Sequence, residues 1–103
     1  MEVEKILEQV KEGKFVFIGQ GLLGFQFLGY GGFPEGQKTW YIREIYPEVN
    51  VESPWFYNDT PIDNPEDYIS WETMAKPQFE TWESIKTKVR NIQIRKGITP
   101  REG

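Results

Sequence analysis

At 103 residues the chain has the length of one domain, and 38% apolar with 27% charged residues is a balance that folds rather than staying disordered. It contains no cysteine and no histidine, which excludes disulfides, thiolate metal sites, thiol nucleophiles and imidazole acid–base chemistry. The net charge of −4 is spread unevenly, −3 over residues 1–57, −6 over 58–83 and +5 over 84–103, so nucleic acid is a disfavoured partner for the chain as a whole.

Near residues 2–12, Val3, Ile6, Leu7 and Val10 recur at i, i+3, i+4 and i+7. That spacing predicts an amphipathic helix with one face to bury, stopped by Gly13. The opening "MEVEKILEQV" is charged, and no apolar run approaches membrane-spanning length, so the expected location is the cytoplasm with no membrane partner. "LEQVKEGKFV", residues 7–16, resembles the helix-then-strand opening of small phage proteins that sequester nucleotide signals, and that resemblance implies a small-ligand binder.

"KFVFIG" (14–19), "GFQFLGY" (24–30) and "KTWYIREIYP" (38–47) are short, aromatic-rich and punctuated by glycine, and predict three antiparallel strands. In the third, Trp40, Ile42 and Glu44 alternate with Tyr41, Arg43 and Ile45. "GGFPEGQ" (31–37) has the glycines and proline of the connecting loop. From Pro47 to Pro77 five prolines interrupt any long element, leaving short strands expected only near Val49–Glu52 and Tyr68–Trp71, while "NDT" (58–60) reads as a turn.

The last element is a helix. Thr81 caps its start, Glu83 sits in its first turn, Trp82, Ile85, Val89 and Ile92 form its apolar stripe, and Gly97 ends it. Lys86, Lys88, Arg90, Arg95 and Lys96 load the later turns, as the helix dipole favours. The expected architecture is α+β: an N-terminal helix, an antiparallel meander of three to five strands and a C-terminal helix packed on the sheet. It forms a single domain over residues 1–97, with a flexible tail at 98–103.

Gly19, Gly21 and Gly24 fall at the G-x-G-x-x-G spacing directly after "KFVFI". A dinucleotide fingerprint would need this loop to open a helix whose N-terminus holds pyrophosphate. The stretch after Gly24, "FQFLGYGGFPEG", is strand and turn chemistry, and Glu44 at the ribose-acid distance does not replace the missing crossover. "GQGLLGFQF" is also similar to the glycine-rich loop of protein kinases, but Gln26 stands where that pattern has valine and its other motifs have no counterpart. The remaining reading is a hairpin in which the three glycines supply positive φ and Leu22 and Leu23 sit exposed at the bend.

Asp59, Asp63, Glu66 and Asp67 crowd into nine residues, but two prolines and no glycine lie among them, against the pattern of a calcium loop. No metal or cofactor is expected, and no catalysis. "PWFYND" places Trp55, Phe56 and Tyr57 in succession, so an extended run must turn at least one ring outward. With the acids Asp59, Asp63 and Asp67 and with Tyr68, these rings form the expected contact surface of a small non-enzymatic accessory or inhibitor protein. Its partner would be a protein with a basic contact surface, and a homo-oligomer is left open. The alternative is a nucleotide-like ligand held by Gly19, Gly21 and Gly24 with Trp40 stacking on its base.

Overall fold

The structure, a computed structural model, describes residues 1–32 and 36–102. In chain order it has helix α1 (Val3–Lys11), strands β1 (Phe15–Gln20), β2 (Phe25–Gly32), β3 (Lys38–Ile45) and β4 (Tyr57–Ile62), and a 3₁₀ turn (Pro65–Tyr68). Helix α2 (Trp71–Ala75), strand β5 (Phe79–Glu80) and helix α3 (Trp82–Lys96) complete it. The strands form one antiparallel sheet in the order β4-β3-β2-β1-β5, so four strands meander and the fifth returns to the far edge. The fold is α+β, with an N-terminal helix and a C-terminal helix packed on the sheet.

Alternation along the strands gives the sheet two apolar faces. Val16, Leu28 and Ile42 point to one side, where Ile6 and Val10 of α1 are fully buried and Ile69 and Met74 close the layer. Phe15, Phe27, Tyr41 and Ile45 point to the other, where Ile85 and Val89 of α3 cover them. The sheet is thus sandwiched between helices. Each large apolar side chain buried in this way contributes on the order of 1.5–3 kcal/mol.

The helix signals match their outcome: Glu12 and Gly13 follow α1, and Thr81 caps α3. Ile92 is only half-buried, however, and Gln93 is buried in its place, donating to the carbonyls of Pro47 (2.9 Å) and Val49 (3.1 Å). The proline-rich middle departs from expectation. Residues 57–62, including the "NDT" expected as a turn, form a full strand that tolerates Pro61 because β4 is an edge and its outer side needs no ladder donor. Residues 68–71 leave a 3₁₀ turn and enter α2 instead of forming a strand.

Residues 49–52 are turns with a single parallel bridge, from Val49 to Arg101. Beside that bridge the Arg101 amide donates to Glu48 O (2.9 Å) and the Asn50 amide to Arg101 O (2.7 Å), so the end of the chain lies against this segment. Of the loop expected at 31–37, residues 31 and 32 belong to β2 and residues 33–35 lie outside the described residues. No helix among the described residues is long and apolar enough to cross a membrane.

Candidate functional site

The turn between β1 and β2 is built by its glycines. A register shift between Phe17 and Gly19 bulges β1, and Gly19 takes φ +148°, a conformation that disfavours any side chain. The Gly21 amide then donates to Gly24 O at 2.7 Å and closes the turn. Gly24 is required for a different reason: a Cβ there would lie 1.7 Å from the Ile45 carbonyl oxygen. Positive φ therefore belongs to Gly19 alone of the three, while Gly24 lets the turn lie against the end of β3. With the backbone pressed inward, Leu22 and Leu23 point out, 98% and 68% exposed.

Beside this turn runs the segment 46–56, ordered by local bonds. The Tyr46 amide donates to Phe56 O (2.9 Å), the Phe56 amide to Ser53 O (3.1 Å), and the Trp55 amide to Ser53 Oγ (3.2 Å). Ser53 Oγ in turn donates to Glu102 O (3.0 Å), so the tail straps the segment down. Phe56, Val49 and Val51 anchor it in the core and Trp55 is left 65% exposed. Leu23, Tyr46 and Trp55 thereby flank a groove of about 390 Å³, with Glu48 and Arg101 beside them. Burial, helped by the Glu44 charge, raises the Tyr46 hydroxyl pKa, so the phenol stays neutral and able to donate. Chemically the groove offers apolar contact area with one acid and one base at its margin.

The expected contact residues do not all lie there. Trp55 is exposed, but Phe56 is fully buried and cannot touch a partner. Tyr57 is half-buried with its ring 4.9 Å from that of Trp82, and Asp59 is engaged by Arg43. Asp63, Asp67 and Tyr68 are exposed, yet they follow the far end of β4, whose length is roughly 17–20 Å at the usual strand rise, while Trp55 precedes its start. The single surface expected from 55 to 68 is therefore divided in two. The alternative set fares likewise: Trp40 pairs with Tyr30 (4.7 Å) under the Lys11 ammonium, five residues along β3 from the Gly24 contact. Trp40 and the glycine turn do not converge, and the Gly21 amide is already spent inside the turn.

One cluster escaped sequence reasoning. Arg43 Nε and Nη2 donate to the two Asp59 carboxylate oxygens at 2.8 and 2.9 Å, and its guanidinium carbon lies 4.1 Å from the Tyr57 ring centre and 4.5 Å from that of Trp82. Phe15 and Tyr41 complete the box at 5.1 and 5.4 Å. Burial works against the Arg43 charge, but the hydrogen bonds and charge of Asp59 outweigh it and hold the guanidinium above its ordinary pKa. Burial likewise pushes the Tyr41 hydroxyl up, despite nearby Arg43. The alternation of β3 puts Arg43 between Tyr41 and Ile45 on the buried face, which is the one signal that could have found it.

The basic stretch of α3 meets acids within the chain: Arg90 reaches Glu52 (2.5 Å), Lys86 lies between Glu52 and Glu83, and Lys88 pairs with Glu80. Comparison with protein-family models, with curated proteins and with solved structures found no match for this chain.

Proposed function

We propose that this chain is a small non-enzymatic accessory or inhibitor protein that binds another protein through the Leu23–Trp55 groove. The observation that carries the reading is the exposure of Leu23 and Trp55 together around one groove, with Leu22 exposed on the same turn, on backbone that is hydrogen-bonded and anchored by Phe56. Clustered apolar exposure of this kind marks interaction sites, and a tryptophan held by a rigid segment is the usual form of a binding hot spot. Asp63 and Asp67 act at a distance in this reading, as part of an acidic field that speeds the approach of a basic partner.

Native mass spectrometry of the chain purified from its own host tests the reading directly. A co-purifying protein whose affinity falls by at least about 1–2 kcal/mol in Trp55→Ala, and falls also in Leu23→Ala, supports it. In the same complex Asp63→Asn and Asp67→Asn should slow association at low salt while leaving dissociation unchanged. A partner that binds both apolar variants as tightly as the parent chain rules the groove out.

A further inference from the structure

A second concavity lies between β1–β2 and α3 and shares no residue with the Leu23–Trp55 groove. Its volume is about 210 Å³. The floor is made of the Phe17, Phe25 and Phe27 rings and the wall of Ile85, Val89 and Ile92. Two features of the fold keep it open. Strand β5 is two residues long and pairs only with Phe15 and Val16, so beyond the Phe17 amide, which donates to Gln78 O (3.0 Å), the outer edge of β1 has no neighbouring strand among the described residues. And because α3 turns Gln93 into the core toward Pro47 and Val49, Ile92 stays half-buried at the cleft rather than sealing it.

At the mouth the charges cancel. Lys88 is paired with Glu80, and Ser84 Oγ donates to the same carboxylate at 2.7 Å, so neither charge needs a ligand. Gln78 is exposed beside them and offers an amide to a polar substituent. We propose that this cleft is a binding site for a small neutral aromatic molecule of about two fused rings, its polar atom turned toward Gln78. Three observations select that class. Phenyl rings in edge-to-face packing, as Phe17 and Phe27 are at 5.5 Å, present edges and faces that favour another ring. The volume exceeds the about 150 Å³ apolar cavity that holds benzene and falls short of the roughly 300 Å³ at which drug-sized pockets begin. The compensated Lys88–Glu80 pair gives no reward to a ligand charge.

Indole is the probe. In an amide-resolved NMR titration of the intact chain, the shifts should concentrate at Phe17, Phe25, Phe27, Val89 and Ile92, and Ile92→Trp, which fills the cleft, should weaken indole binding at least tenfold. Indole-3-acetate should bind at least tenfold more weakly than indole. The site assignment is overturned if millimolar indole shifts nothing, or shifts the Leu23 and Trp55 region instead; equal binding of indole-3-acetate overturns the neutral class. Because the titration maps the site on the unaltered chain, the outcome stands even where Ile92→Trp does not fold.

Discussion

Removing the Arg43 guanidinium would leave the Asp59 carboxylate, 15% exposed, without its counter-charge. A buried charge stranded in this way typically costs about 3–5 kcal/mol, whereas replacing both partners by apolar groups is often close to neutral. Arg43→Met should therefore lower stability by about that amount in urea unfolding, and Arg43→Met with Asp59→Leu should recover much of the loss. If the double variant loses the sum of the two single effects, the pair is not coupled and the box is only packing. The sequence showed the alternation that puts one of Trp55, Phe56 and Tyr57 outside, but not that Asp59 sits across from Arg43. That pairing is set by β3–β4 register, which depends on contacts far apart in the chain.

Helices α1 and α3 were legible because their signals are local, whereas the five-residue α2 was not. In α3 the Ser84 amide donates to Thr81 Oγ1 (3.1 Å) and the Thr81 amide to Ser84 Oγ (2.9 Å), so each side chain satisfies the other's backbone amide at the helix N-terminus. Thr81→Ala should cost roughly 1 kcal/mol, and Ile85→Ala, which empties a position only 1% exposed, about 2–5 kcal/mol. Chemical denaturation of the two variants checks the order of the effects; an Ile85→Ala midpoint equal to that of the parent would mean that α3 does not press on the sheet. Strand β4 was not legible because Pro61 and the turn-forming Asn58 and Asp59 argue locally against a strand. An edge position beside β3, supplied by the rest of the sheet, overrides that preference.

At the scale of the whole molecule, the candidate groove is a product of topology. The β2–β3 register sets Phe25 opposite Ile45, and this carries the β1–β2 turn to the start of the 46–56 segment and so brings Leu23 to Trp55, thirty-two positions away. Neither stretch contains that proximity, and for this reason the leucines and the tryptophan read as separate features. The response to pH is also a property of the whole chain. With no histidine, no side chain has an ordinary pKa between the carboxylates and the tyrosines, so stability should form a plateau from about pH 6 to pH 9. On the acid side, burial tends to raise the Glu80 carboxyl, but hydrogen bonds from Lys88 and Ser84 and the Lys88 charge prevail and hold it below its ordinary range. A depressed carboxyl contributes stability that is present above its unfolded pKa and lost as pH falls through the folded value. On the alkaline side, burial raises the Tyr41 and Tyr46 hydroxyls, so their contribution is complete below about pH 10 and lost as pH rises through the raised values. Glu80→Gln mimics the protonated carboxyl: its urea midpoint should lie below that of the parent on the plateau and converge with it toward about pH 3, where Glu80 is itself neutral. Curves that stay parallel down the acid limb would show that Glu80 is not held in its charged form by Lys88 and Ser84, and a slope between pH 6 and pH 9 would mean that a group other than these tyrosines and carboxylates controls the fold.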